Sequence, residues 1–175
     1  MRVVAGTAGG RRLEAPAGRE TRPTSDRVRE ATFNALHSLG VVEGASVVDL
    51  FAGSGAMGVE ALSRGAGSAT FVDHDRRAVE AVRLNLARTG FADRATVVRA
   101  DVGAFLAGAP RFDIAIVDPP YATTDEEWAT VLAVLDADVA VLESDRPLDP
   151  GPDWRIVRVG RYGDTVVTFT RHPVP

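Results

Sequence analysis

Residues 46–58 read Ser46-Val47-Val48-Asp49-Leu50-Phe51-Ala52-Gly53-Ser54-Gly55-Ala56-Met57-Gly58, and the fold is decided on this stretch. A short β-branched run passes into Gly53, Gly55 and Gly58 at G-x-G-x-x-G spacing, and a helical stretch follows from Ala56. Glycines at these positions let the backbone approach a ligand closely. Asp73 stands twenty residues beyond Gly53, at the end of the next strand-like run. An acid at that distance can accept hydrogen bonds from two ribose hydroxyls. By that rule alone a nicotinamide dinucleotide would serve.

Two further acids turn the reading toward S-adenosylmethionine. Asp49 lies four residues before Gly53, where dinucleotide folds usually place an apolar residue, and a carboxylate there can meet the ammonium of a methionine moiety. Asp101 follows the third strand-like run and can accept from an adenine amino group. Each of these residues could instead cap the helix after it, a common use of Asp at a strand end. Three in register at successive strand ends favour the ligand.

Working outward, short strand-like runs alternate with helical segments, the pattern of βαβ units and a parallel sheet. The strands are Ser46 to Leu50, Ala69 to Asp73, Ala95 to Arg99, Asp113 to Val117 and Val139 to Glu143, with helices beginning near Ala56, Arg76, Val102 and Asp125. A final pair, Trp154 to Val159 and Thr165 to Thr170, is joined through Arg161-Tyr162-Gly163-Asp164 and reads as a β-hairpin closing the sheet. That makes seven strands in an α/β domain. Upstream, Thr24, Ser25 or Asp26 can cap a helix with apolar positions at Val28, Ala31, Ala35, Leu36 and Leu39, and Gly40 stops it. Residues 1–24 are rich in Gly, Arg and Pro and are expected to form a small hairpin or arm outside the main core, with residues 25–175 as the α/β domain. Trp128 shares helical spacing with Val131, Leu132 and Leu135 and reads as core, while Asn85 reads as an ordinary polar helix position.

The fourth strand ends in Asp118-Pro119-Pro120-Tyr121. An amine conjugated to a base ring is a poor nucleophile because its lone pair is delocalised. The Asp118 carboxylate and the Pro119 carbonyl can each accept one of its N–H groups and aim the lone pair at a sulfonium methyl. Pro119 and Pro120 stiffen the backbone and remove competing donors. Tyr121 offers a ring on which an extruded base can stack. A simple turn after a strand would use the same prolines.

The composition narrows the chemistry. A chain of 175 residues is expected to form one domain, or one with a small appendage, and can bury roughly 70% of its unfolded surface. No Cys is present, which excludes disulfides, thiolate metal sites and a thiol nucleophile, and all 20 basic residues are Arg, which excludes a Lys base. No metal is called for. No apolar h-region follows Met1-Arg2 and no run approaches ~18 apolar residues, so a soluble, cytoplasmic protein without a membrane partner is expected. A monomer is the separate expectation for its assembly. Net charge is −4, but residues 1–29 hold seven Arg against three acids, whereas residues 30–175 hold thirteen against twenty-one. The first segment can attract phosphate although the whole chain is acidic.

With these residues in view, the chain resembles the bacterial small-subunit (16S) rRNA guanine-N2 methyltransferase family. These are class I S-adenosylmethionine-dependent enzymes with a Rossmann-like, mostly parallel seven-stranded sheet. Four blocks carry the likeness: Met1 to Gly6 with Gly10-Arg11-Arg12-Leu13; Arg22 to Glu30 with Phe33-Asn34; Asp49 to Gly58 continuing through Glu60 to Ala66; and Asp118 to Tyr121. Ala8-Gly9 stands where members often carry a basic residue or two, and Ala31-Thr32 where Thr-Leu is usual.

The resemblance implies methyl transfer from S-adenosylmethionine to one guanine N2 of 16S rRNA, in an assembled or partly assembled small ribosomal subunit. It places cofactor binding on Asp49, Phe51, Ala52, Gly53, Ser54, Gly55, Gly58, Asp73, His74, Asp101 and Val102, and the reaction on Asp118, Pro119, Pro120 and Tyr121. Arg11, Arg12, Arg22, Thr24, Arg27 and Arg29, around a helix start, are the expected RNA contacts. A DNA adenine-N6 methyltransferase would share the Asp-Pro-Pro-Tyr logic but needs a larger target-recognition region. A noncatalytic RNA-binding or assembly protein would not require both motifs, and a nicotinamide dehydrogenase lacks a hydride-site acid or base.

Overall fold

The computed structural model describes residues 1–18 and 25–172. The chain runs α1 (Asp26–Ser38), β1 (Ser46–Leu50), α2 (Ala56–Ser63), β2 (Ser68–Asp73), α3 (Arg76–Thr89), a one-turn 3₁₀ segment (Ala92–Arg94), β3 (Ala95–Arg99), α4 (Val102–Leu106), β4 (Phe112–Val117), α5 (Asp125–Val134), β5 (Ala137–Ser144), β6 (Arg155–Tyr162) and β7 (Thr165–Arg171). The seven strands form one sheet in the order β3-β2-β1-β4-β5-β7-β6. The first five are mutually parallel, and β7 is inserted antiparallel between β5 and the edge strand β6. Seven strands, a mostly parallel order and a closing hairpin are what the sequence predicts. The hairpin is tighter than expected: Tyr162 pairs with Thr165, leaving only Gly163 and Asp164 in the turn.

The helices start where their caps dictate. Ser25 accepts from the Val28 N–H and so caps α1, and Thr124 with Glu127 forms a reciprocal capping box on α5. Alternation along the strands divides the core between the two faces of the sheet. Val47, Phe71, Ile114, Ile116, Val141 and Phe169 pack on one side with residues of α1, α2 and α3, including Phe33, Leu36, Val59, Leu62 and Val82. Val48, Leu50, Val72, Val117 and Leu142 pack on the other with α4 and α5, where Trp128, Leu132 and Leu135 are buried as expected.

The first segment departs from expectation. A single antiparallel bridge joins Arg2 to Arg12, but Val3, Ala8 and Leu13 are buried in the same core as α1 and α2. The reason is a set of polar clamps from α2. Fully buried Glu60 accepts from the backbone N–H of Val4 at 2.7 Å and of Ala5 at 3.0 Å, and Ser63 Oγ accepts from the Ala8 N–H at 2.9 Å. A segment clamped this way is part of the main core, not an arm standing apart from it.

Arg29 is likewise corrected. Expected as a phosphate contact, it is fully buried, with Nη2 at 2.8 Å from Asp26 Oδ1 and Nε at 3.5 Å from Glu60 Oε2. Two residues earlier, Arg27 is exposed. The α1 periodicity turns position 29 onto the face that carries Val28, Thr32 and Phe33, and the buried Glu60 carboxylate receives the guanidinium there.

The chain leaves β1 toward β2 and β3 on one side, then crosses to β4 on the other. The crevice at the carboxyl ends of β1 and β4 is therefore the switch point at which open α/β sheets bind ligands.

Candidate cofactor and reaction site

Register brings three acids to that crevice. Leu50 of β1 pairs with Val72 of β2 and with Val117 of β4, so Asp73 and Asp118, one residue further on, flank the chain just beyond Leu50. Asp49 lies one residue before Leu50 and points to the α2 face, 2% exposed. Its Oδ2 accepts from the Gly58 N–H at 2.8 Å, supplying the cap that Gly55, the N-cap residue of α2, cannot offer. Burial pushes the Asp49 carboxyl up to about 8; the Gly58 hydrogen bond opposes that rise, while the charges of Asp118 and Asp73 add to it.

The loop between β1 and α2 is held open by its own backbone. Phe51 adopts a positive φ of 60°, a conformation that costs a non-glycine residue energy and that surrounding contacts must hold. The Ala52 N–H donates to the Val72 carbonyl at 3.1 Å and the Gly55 N–H to the Ala52 carbonyl at 2.7 Å. Gly53 is also left-handed, and a Cβ built there would meet only the Phe51 carbonyl oxygen, at 3.9 Å. Above Gly53 there is thus room for a ligand against bare backbone. Gly58 has the opposite role: a Cβ would stand 2.3 Å from the Phe71 ring, so this glycine lets α2 lie close on β2. Half-buried Ser54 completes the loop, its Oγ accepting from the Ala56 N–H at 3.3 Å.

Asp73 uses both oxygens on backbone, Oδ2 accepting from Gly53 at 2.9 Å and Oδ1 from Asp75 at 2.9 Å. It therefore ties the glycine loop to the end of β2, and its remaining lone pairs can accept ribose hydroxyls. His74, with a 68% exposed side chain, stands 3.7 Å from Asp73 Oδ1 at the rim. Asp101 is exposed and caps α4 by accepting from the Ala104 N–H at 3.1 Å, while Val102 is buried in the second core. The helix-cap use of a strand-end Asp thus applies to Asp101, with one of its two oxygens engaged.

At the reaction motif Asp118 is half-buried, Pro119 buried and Pro120 exposed. The Tyr121 ring is 38% exposed, and its hydroxyl lies 3.1 Å from Thr165 Oγ1 at the start of β7. The closing hairpin therefore anchors the tyrosine hydroxyl at the start of β7, two strands from β4. Arg11, Arg12 and Arg27 are exposed, with Arg11 Nη1 donating to the Arg88 carbonyl at 2.9 Å, whereas Arg22 and Thr24 lie outside the described residues.

Sequence reasoning misses Asn85. It is fully buried in α3, where Nδ2 donates to the Ser54 carbonyl and to the Glu14 carbonyl, both at 2.9 Å, and Oδ1 accepts from the Glu14 N–H at 2.8 Å. One side chain thus links the glycine loop, α3 and the N-terminal segment. Its place on the apolar stripe of α3, beside Val82 and Leu86, is the signal that could have marked it.

A family model described as "Conserved hypothetical protein 95" matches residues 1–171. Ribosomal RNA small subunit methyltransferase D of Escherichia coli (strain K12) is 45% identical over 123 residues, which cover 69% of this chain and 60% of that protein. YlbH of Bacillus subtilis (strain 168) is 37% identical over 172 residues, or 96% of this chain and 91% of its own length. Among solved structures, yhhF of Escherichia coli has a TM-score of 0.85 at 33% identity, over 100% of this chain and 99% of the other. Matched along nearly its whole length, the chain belongs to the family described as Conserved hypothetical protein 95.

Proposed function

We propose that this protein transfers a methyl group from S-adenosylmethionine to the exocyclic N2 amine of a guanine in 16S rRNA. The observation that carries the reading is the convergence of Asp49, Asp73 and Asp118 around the open backbone at Gly53. Three carboxylates whose mutual repulsion helps hold Asp49 protonated up to about 8 suit a cationic ligand. S-adenosylmethionine, when bound, supplies a methyl group activated on a sulfonium. Asp49 meets its ammonium, Asp73 its ribose, and Asp101 with the Val102 backbone its adenine; Phe51, Ala52, Ser54 and His74 line the approach.

The reaction asks the protein chiefly for orientation. Asp118 and the Pro119 carbonyl each accept one N–H of the amine, so the nitrogen lone pair points at the methyl carbon. The C–N bond forms as the C–S bond breaks, and the nitrogen, acidic once methylated, releases its extra proton toward Asp118 or water. Tyr121, fixed through Thr165, stacks on the extruded base. Exposed Arg11, Arg12 and Arg27 hold phosphates of the RNA, within an assembled or partly assembled small subunit. The protein acts in the cytoplasm as a monomer. Among the described residues no helix is long and apolar enough to cross a membrane.

The test is incubation with labelled S-adenosylmethionine and, separately, free 16S rRNA, small subunits lacking the modification, and duplex DNA, followed by nucleoside analysis. Label in N2-methylguanosine from the RNA or the subunit supports the reading, and label in N6-methyladenine from the DNA overturns it.

A further inference from the structure

Strand β6 is the free edge of the sheet, hydrogen-bonded to β7 alone. It reads Arg155-Ile156-Val157-Arg158-Val159-Gly160-Arg161-Tyr162, with three Arg and no acid, in a part of the chain where acids outnumber Arg. Of the ten other arginines of that part, five are ion-paired among the described residues: Arg64 with Glu60, Arg76 with Glu80, Arg88 with Glu14, Arg111 with Asp136 and Asp138, and Arg146 with Asp125 and Asp145. Arg155, Arg158 and Arg161 form no ion pair among the described residues. Arg155 also stands directly opposite Arg171 of β7, an unfavourable like-charge pair that an anion would relieve.

The strand's irregularity sorts these side chains. The register shifts between Ile156 and Arg158, so Val157 is the extra residue of a bulge. Without it, Arg155 and Arg158 would fall on opposite faces. With it, they pair opposite Arg171 and Phe169 and share one face, the face on which the N-terminal segment and α1 pack. Arg161 shares the other face with Ile156 and Val159, which are 45% and 54% exposed. At its top the strand closes on the Tyr162–Thr165 pair, and Thr165 touches Tyr121. Arg155 and Arg158 thus share the face of Thr165 and Arg161 lies on the other, so the edge presents arginine on both faces, from beside the reaction motif down the sheet for about 23 Å at ~3.3 Å per residue.

We propose that the β6 edge is a second contact surface for the RNA substrate, gripping the phosphate backbone of the strand that leads away from the base at Tyr121. The inference rests on the RNA-methylating reading above. Charge alone can protect an edge strand from pairing with another. Protection requires neither a single sign nor a like-charge pair with β7, whereas a polyanion favours both. Exposed Ile156 and Val159 give the same strand apolar contact for sugars and bases.

The test replaces Arg155, Arg158 and Arg161 together by Gln, with Arg158→Glu as a second variant, in the full chain. Methylation of undermodified small subunits is measured across a salt series, with melting temperature and S-adenosylmethionine calorimetry alongside. For the triple variant the expected result is a KM for RNA raised about tenfold and a log K against log salt slope shallower by about 2, at roughly 0.7 per lost phosphate contact. The turnover number and cofactor affinity stay unchanged, the melting temperature does not fall because losing Arg155 relieves its repulsion with Arg171, and Arg158→Glu alone also raises KM. An unaltered KM and salt slope overturn the inference while leaving the RNA reading intact. So does sedimentation showing a wild-type dimer that the triple variant dissolves, since β6 would then pair with a second copy. If the wild-type protein binds S-adenosylmethionine but methylates no RNA, the underlying reading fails instead.

Discussion

Asp49 combines a structural and a chemical role in one carboxylate. It caps α2 through Gly58, yet it is nearly fully buried, and its proton is held up to about 8 against an ordinary value of 3.8. The folded chain therefore holds a proton that the unfolded chain has released, and stability from this group falls as pH rises from about 4 to about 8. Asp49→Asn removes that penalty. Its melting temperature should exceed that of the wild type by a margin that widens up to pH 8, while S-adenosylmethionine binding is lost; a constant margin across the range would contradict the assignment. A cationic ligand favours the ionised carboxylate, so binding at pH 7 should release a proton, seen as a calorimetric heat that varies with the buffer's ionisation enthalpy. Asp118→Ala separates the two functions of the acid cluster. Cofactor affinity should stay within a few-fold of wild type, whereas turnover drops by about a hundredfold or more from lost amine orientation.

At the scale of elements, the features legible in the sequence are those with local causes. The glycine loop, the start of α5 at Asp125, the strand ends at Asp73 and Val117 and the cap of α1, which falls on Ser25 among the three candidates there, depend on neighbours within a few residues. The docking of the first segment does not, because its partners lie 55 to 71 residues away, Glu60 and Ser63 for Val4, Ala5 and Ala8, and Asn85 for Glu14. Glu60, Arg29 and Asn85 look like surface polar residues until their partners are known. Glu60 and Arg29 become burial-compatible through each other's charge and the hydrogen bonds around them, and Asn85 through the backbone of Glu14 and Ser54. Glu60→Ala takes from buried Arg29 one of its two carboxylate partners, leaving Asp26, and unlatches two backbone N–H groups, and should cost about 3 kcal/mol in denaturant unfolding. Asn85→Ala should cost less stability but weaken S-adenosylmethionine binding, because the Ser54 carbonyl of the glycine loop loses its donor. Asn85→Asp, which keeps the acceptor and loses the donor, should weaken it similarly.

At the scale of the whole molecule, the doubly wound order puts Asp49, Asp73, Asp101 and Asp118 at the carboxyl ends of the parallel strands and brings the basic first segment against α2 and α3. An acidic protein can thus present a positive border to a polyanion while keeping a carboxylate-lined crevice for a sulfonium and an amine. Exposure, which sequence cannot supply, decides which arginines of that border take part. Arg27 and Arg29 are two residues apart and carry the same charge, but one is exposed and the other fully buried against Asp26 and Glu60. They should therefore fail differently. Replacing Arg11, Arg12 and Arg27 together by Ala should leave melting temperature and cofactor affinity unchanged while making the salt dependence of RNA binding shallower by about 2. Arg29→Ala should lower the melting temperature sharply, because Glu60 is left buried with less compensation, and the fraction still folded should show the wild-type salt slope. A shallower slope for Arg29→Ala at full stability would mean that this guanidinium reaches the RNA after all.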